Sequence, residues 1–172
     1  MRRDRILYLL RHAKSSWSEP TLPDEERPLA PRGRRDAKRV AAHVLELGIE
    51  PDIVLCSTAR RTRETLELLR PALGATRSVL FEEELYAASA AALLERLRAV
   101  PDGVVSVLLI GHNPGLQDLA LLLASTGAEL AQLEAKFPTG ALATLVLPNA
   151  AWRQLSRGDA ALGDFVVPKQ LR

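Results

Sequence analysis

Apolar residues along the chain fall into two alternating kinds of pattern. Ile6 to Leu10 is an unbroken apolar run, as expected of a strand buried on both faces. Pro31 to Glu46 then places Ala37, Val40, Ala41, Val44 and Leu45 at helical spacing before Gly48 stops the element. Ile53 to Cys56 predicts a second strand, and Ala59 to Arg70 a helix ending before Pro71. A short strand is expected over Val79 to Phe81, followed by a helix capped by Ser89 that buries Ala90, Leu93, Leu94 and Leu97. Val104 to Ile110 is the clearest strand, and it leads into a helix with Leu116, Leu119, Ala120 and Leu123 on one face. Ala141 to Leu147 and Ala151 to Leu155, separated by Pro148-Asn149-Ala150, predict a closing hairpin. Strand–helix alternation ending in a hairpin implies an α/β fold: a three-layer α/β/α sandwich whose mainly parallel sheet has an antiparallel edge.

Residues 1–172 are expected to form one domain, since that length buries roughly two thirds of its unfolded surface in a single core. No repeat or linker divides it. The segment from Ser18 to Arg32 holds Pro20, Pro23, Pro28 and Pro31, cannot be one helix, and is the longest irregular stretch. With 47% hydrophobic and 26% charged residues the composition is that of an ordinary globule, excluding disordered and collagen-like chains. No apolar run is long enough to span a membrane. The five-residue run after Arg5 stops at Arg11-His12 without a small-residue cleavage site, so a secretory leader is rejected and the expected location is cytoplasmic. A single cysteine, Cys56, closes an apolar strand and is read as a small buried hydrophobe.

A net charge of +2 and 4% aromatics do not suit nucleic-acid binding. The charge is uneven, however: residues 1–70 carry 15 Lys/Arg against 11 Asp/Glu, and the remainder carries 8 against 10. In open α/β sheets ligands bind beyond the C-terminal ends of the strands, and three such ends carry unusual chemistry. These are Arg11-His12-Ala13-Lys14-Ser15, then Ser57-Thr58-Ala59-Arg60-Arg61-Thr62-Arg63, then Gly111-His112-Asn113-Pro114-Gly115. With Ser57 or Thr58 as N-cap, the first helical turn of the second junction is loaded with arginines where acidic residues are usual. Solvated surface positions account for some of them, but at least one is expected to grip an anion held at the helix start. At the third junction Asn113 can cap a helix that has Pro114 at its first position, while Gly111 would permit close approach of a ligand.

Paired histidines also raise a metal site. The three present, His12, His43 and His112, have no metal-ligand spacing, and the arginines beside two of them would oppose a divalent ion; His43 reads as structural. What remains is a phosphate pocket in which side chains supply the positive charge and no cofactor is called for. Such a pocket can perform covalent phosphoryl transfer: a neutral imidazole attacks phosphorus, and water cleaves the phosphohistidine. The attacking nitrogen must be unprotonated, so the other ring nitrogen should donate to a backbone carbonyl.

These junctions resemble the motifs of the histidine phosphatase superfamily, the phosphoglycerate-mutase-like fold. Its Arg-His-Gly appears as Arg11-His12-Ala13, its Leu-Thr-x-x-Gly-x-x-Gln-Ala as Leu29 to Ala37, its Ser-x-x-x-Arg-Ala-x-Gln-Thr as Ser57 to Thr65, and its second Gly-His as Gly111-His112. Arg-His-Ala-Lys-Ser, Asp24-x-x-Arg27-Pro28-Leu29, Glu84-Leu85-Tyr86 and Gly111 to Leu116 are similar to the short SixA-type branch. The resemblance implies His12 as nucleophile, with Arg11, Arg61 and His112 holding the phosphoryl group; Ser15, Lys14 and Arg27 join them as candidate substrate-binding residues. It implies a phosphohistidine-carrying signalling domain as substrate and inorganic phosphate as product. Ala13 departs from the family glycine and removes φ > 0 freedom there. The insertion that carries the family's acid is also missing. Glu84 is a candidate general acid, with a solvated acidic loop as the alternative reading. An imidazole leaves a P–N bond more easily than an alkoxide leaves phosphorus, so a chain without that acid suits phosphohistidine. A small phosphoester and a non-catalytic phosphate-binding module remain as the other two readings.

Overall fold

The computed structural model describes residues 3–76 and 78–172. The first two residues of the stretch weighed as a leader, Met1 and Arg2, lie outside them. Twelve main elements follow one another: β1 (Arg5–Arg11), α1 (Pro31–Glu46), β2 (Ile53–Ser57), α2 (Arg60–Leu69), β3 (Ser78–Glu82), α3 (Ala90–Arg98), β4 (Ser106–Gly111), α4 (Gly115–Leu123), β5 (Ala124–Thr126), α5 (Leu130–Ala135), β6 (Leu142–Leu147) and β7 (Ala160–Val166). The strands form one sheet in the order β3-β2-β4-β1-β6-β7-β5. β3, β2, β4 and β1 are mutually parallel, and β6 pairs antiparallel with both β1 and β7, so the antiparallel hairpin occupies that side of the sheet.

Period-two alternation explains the layering. In β1, Leu7 and Leu9 enter one apolar cluster with α3, α4, α5 and Trp152, while Tyr8 and Leu10 enter the other with α1 and α2. Both faces are therefore covered, and the three-layer α/β/α sandwich follows. Ser89 caps α3 as expected, its side chain accepting from the Ala92 backbone N–H at 3.1 Å.

The hairpin differs from expectation in its second arm. Ala151 to Leu155 is no strand: Trp152–Gln154 forms a 3₁₀ turn, and the returning strand is β7. Trp152 is fully buried and its indole N–H donates to the Val104 carbonyl at 2.8 Å. Trp152 and Leu155 fill the α3 side of the core, a demand for apolar residues that their presence in the sequence does not distinguish from strand pairing. β5 and α5 carry no signal in the sequence; three and six residues are too short for periodicity to show. β4 starts at Ser106 rather than Val104, since the Asp52 carboxylate accepts from the Val105 and Ser106 N–H groups before the ladder begins.

Candidate active site

Strand register creates the site. β1 and β4 are parallel neighbours, with Arg11 opposite Gly111. The next residue on each strand is a histidine, so His12 and His112 leave the sheet abreast, separated by about one strand spacing. Their ring centroids lie 5.3 Å apart. On the other side of β4, β2 brings Ser57 to the same edge and starts α2, which carries Arg61. A crevice of about 240 Å³ opens there, lined by Arg11, His12, Lys14, Ser15, Trp17, Arg27, Arg61, His112, Asn113 and Thr139.

His12 is buried, and its Nδ1 lies 2.7 Å from the Ala13 carbonyl. A carbonyl only accepts, so Nδ1 carries the proton and Nε2 keeps its lone pair. Burial pushes the His12 pKa from 6.5 to about 3, assisted by the charges of His112, Arg61 and Arg11 and opposed by the Ala13 bond. His112 is lowered to about 4, first by burial and then by Arg61. Its Nε2 is 2.7 Å from Ser57 Oγ, and its Nδ1 faces Arg61 Nη2 at 3.5 Å. A guanidinium only donates, which makes Nδ1 the acceptor and Nε2–H the donor to Ser57. Both imidazoles are thus neutral at pH 7.

The arginines divide by role. Arg61 is buried, donating to the Asp24 carbonyl at 2.7 Å and to its carboxylate at 2.9 Å. Arg60 and Arg63 are exposed, and Arg60 pairs with Glu64. Of the three arginines at this helix start, Arg61 faces the crevice and the other two read as surface residues. The cap of α2 is Ala59 rather than Ser57 or Thr58; the Ser57 hydroxyl accepts from the Ala59 N–H instead. Arg11 donates from Nη1 to the Phe137 carbonyl at 2.9 Å, while its buried Nε has no hydrogen-bond partner among the described residues. An unpaired buried donor is costly, and Arg11 is among the residues that line the crevice.

Ser15 and Arg27 meet, the guanidinium donating to the hydroxyl. Arg27 is otherwise committed to the Ser16 carbonyl, the Asp24 carboxylate and the face of Trp17, whose ring centroid is 3.2 Å from Cζ. It therefore organises the proline-rich loop as well as lining the crevice. Lys14 is exposed at the rim. Glu84 does not reach the crevice. It is exposed on the 3₁₀ turn Glu83–Leu85, where its charge acts on Arg96, so the alternative reading of a solvated acidic turn describes its position. Among the described residues no three His, Cys, Asp or Glu side chains gather as a metal site. His43 lies elsewhere, its Nε2 3.9 Å from Asp164. Cys56 is buried, its thiol pKa pushed up to about 12 by desolvation.

Three residues at the site had no role assigned from sequence. Asp24 accepts from Tyr86 and Arg61, which hold its carboxyl near a pKa of about 2. Tyr86 stands edge-on to His112 at 5.4 Å. Thr65 accepts from the Ala13 N–H at 3.1 Å while donating to the Arg61 carbonyl at 2.7 Å, tying the His12 loop to α2. All three stand in the quoted motifs, but no spacing in the sequence assigns Asp24 its pairing with Arg61 and Tyr86. Ala13 needs no φ > 0, since the non-glycine residues with positive φ are Ala87 and Asn149. The close approaches belong to other glycines. A Cβ on Gly33 would lie 2.1 Å from the Lys14 carbonyl oxygen, and one on Gly115 2.0 Å from the Ala88 oxygen, whereas Gly111 has ordinary room. α4 begins at Gly115 with Pro114 preceding it, and Asn113 Oδ1 accepts from the Gln117 N–H at 3.2 Å.

The profile described as histidine phosphatase superfamily (branch 1) matches residues 7–90. A SixA structure from Nakamurella multipartitia is 31% identical and covers 96% of each chain with a TM-score of 0.81. The chain belongs to the histidine phosphatase superfamily. A second SixA structure, from Agrobacterium tumefaciens, is 32% identical over 95% of this chain and 98% of that one, with a TM-score of 0.79. An uncharacterised Mycobacterium tuberculosis protein, Rv1276c, is 37% identical over 93% of this chain and its own full length. Membership supports phosphatase chemistry on a phosphorylated substrate with phosphate as product. Among the described residues no helix is long and apolar enough to cross a membrane.

Proposed function

We propose that this histidine phosphatase removes the phosphoryl group from phosphohistidine on a protein, with His12 as the nucleophile. The observation that carries the chemistry is the His12 ring: buried, neutral, and fixed by Ala13 so that Nε2 is the free nitrogen. In the first step Nε2 forms a bond to phosphorus as the P–N bond to the substrate imidazole breaks. That ring carries a proton from solvent on its distal nitrogen and so departs as neutral imidazole; the attacking water of the next step returns a proton to solvent. Water then attacks the phosphoenzyme, releasing inorganic phosphate and restoring neutral His12. The Arg11 and Arg61 guanidinium groups and the His112 ring offset the charge on the equatorial oxygens.

Choice of leaving group rests on what lines the crevice. Its described lining contains no carboxylic acid. Asp24 lies behind Arg61 and is ionised at neutral pH, so it holds no proton for an alkoxide. An imidazole departs with less assistance, which favours P–N over P–O substrates. The two SixA structures bear phosphohistidine phosphatase as a provisional name, in line with this reading.

The test is release of ³²P from a histidine-phosphotransfer domain labelled on histidine, run beside p-nitrophenyl phosphate. Label should fall with the native enzyme and persist with His12→Ala. Stable label with brisk ester hydrolysis would move the function to small phosphoesters. Turnover retained by His12→Ala would remove the nucleophile assignment.

A further inference from the structure

A second and larger groove, about 530 Å³, lies beside the crevice and shares Thr139 with it. Arg32, Arg35 and Arg39 project into it from α1, Lys136 from the loop after α5, and Lys169 from the C-terminal 3₁₀ turn. One carboxylate faces these five cations. Asp36 is buried and engages Arg32 at 3.6 Å and Arg39 at 3.3 Å. Arg35, Lys136 and Lys169 have no acidic partner among the described residues. Because the chain's net charge is only +2, this accumulation is local. It is also unfavourable by itself: like charges share a concave surface at the N-terminal half of α1, where the helix dipole is already positive.

We propose that this groove docks an acidic segment of the phosphoprotein, adjacent to the phosphohistidine whose phosphoryl group enters the crevice. The proposal rests on the phosphohistidine reading and adds what the enzyme recognises around that residue. Hydrogen bonds tie the wall between groove and crevice to the ends of β1 and β4. Gly140 N–H is shared by the Arg11 and His12 carbonyls at 3.1 and 3.0 Å, and the Phe137 carbonyl accepts from Arg11 and Asn113. Chain leaving the crevice past Thr139 therefore meets the cations directly. The groove combines a charged rim with an apolar base that includes Val167 and Pro168, the anatomy of a protein interface. Trp17, 67% exposed yet stacked against Arg27, offers the crevice a preorganised aromatic contact for the same partner.

The experiment compares two synthetic peptides chemically phosphorylated on one histidine, with flanks rich in Asp/Glu or in Ser/Gly. The native enzyme should prefer the acidic peptide at least tenfold in kcat/KM at low salt, and the preference should fade above about 0.15 M salt. The variant R35E/K136E/K169E should bring the ratio to about one through KM, while hydrolysing p-nitrophenyl phosphate within twofold of the native rate. If the triple change impairs ester hydrolysis, K169E alone must still cut the ratio at least threefold; no reduction overturns the proposal. Equal use of both peptides by the native enzyme overturns docking alone. Dephosphorylation of neither, with p-nitrophenyl phosphate still cleaved, overturns the phosphohistidine reading and docking with it. Groove-dependent inhibition by inorganic tripolyphosphate without any peptide preference would make this a small-polyanion site and overturn the protein partner.

Discussion

Gly33→Ala separates helix propensity from the needs of the site. Gly33 is the third residue of α1, and in an isolated helix alanine there would stabilise by about 1 kcal/mol. Here the added Cβ would sit 2.1 Å from the Lys14 carbonyl oxygen and 2.9 Å from the Lys14 carbonyl carbon and nitrogen. The first distance is more than an ångström short of ordinary contact, and the obstacle is backbone, which cannot swing aside. Lys14 is further held by Ala30 N–H donating to its carbonyl at 2.8 Å and by the Ser15–Leu29 bridge. Overpacking of this kind costs about 1–3 kcal/mol, which outweighs the propensity gain. Relief requires α1 or the His12 loop to move by about 1 Å, and a displacement of that size at a nucleophile costs on the order of a hundredfold in rate. Urea unfolding should place G33A up to about 2 kcal/mol below the native protein, and kcat/KM for p-nitrophenyl phosphate should fall by about two orders of magnitude. A variant of equal or greater stability with native kinetics would refute the claim that α1 seats the His12 loop.

Three further outcomes follow from the same geometry. Glu84→Gln should leave kcat/KM within twofold on phosphohistidine and ester substrates, because the side chain is exposed outside the crevice, whereas Asp24→Asn should lower both about tenfold by loosening Arg61. Stability should decline as pH falls from 7 to 5, measured by urea midpoint. The His12 and His112 pKa values are depressed in the fold to about 3 and 4, so between those values and 6.5 the unfolded chain binds more protons. Each imidazole should contribute a loss of roughly 2 kcal/mol by pH 5, and H12N/H112N should flatten the profile; an unchanged slope would contradict neutral buried rings. Arg61→Lys should reduce kcat/KM by about a hundredfold, since a point charge cannot hold the Asp24 carbonyl and carboxylate while facing a phosphoryl group.

Sequence carried the site further than it carried the edges of the fold. His12 and His112 stand where apolar runs end, so strand order alone brings them together. Arg60, Arg61 and Arg63 stand out together because cations at a helix start oppose the dipole, and the motif resemblance narrows them to Arg61. The chemistry alone requires the Nδ1–H tautomer of His12, and the Ala13 carbonyl is the group that imposes it. Asp24 stands in a motif, but its role is hidden because its partners, Arg61 and Tyr86, are 37 and 62 residues away, and no local pattern encodes that distance. Glu84 is a candidate acid on chemical type alone; only tertiary placement puts it on an exposed turn outside the crevice. The Trp152 turn reads as a strand in the sequence because its apolar residues, Ala151, Trp152 and Leu155, satisfy a core whether or not the backbone pairs.

The central claim is covalent chemistry at one nitrogen. Rapid mixing with ³²P-labelled phosphohistidine substrate, quenched under alkaline denaturing conditions that preserve P–N bonds, should give a labelled enzyme whose phosphoryl group maps to His12 Nε2 and which is absent from His12→Ala. Label on His112, or steady turnover with no phosphoenzyme at any time, would contradict it.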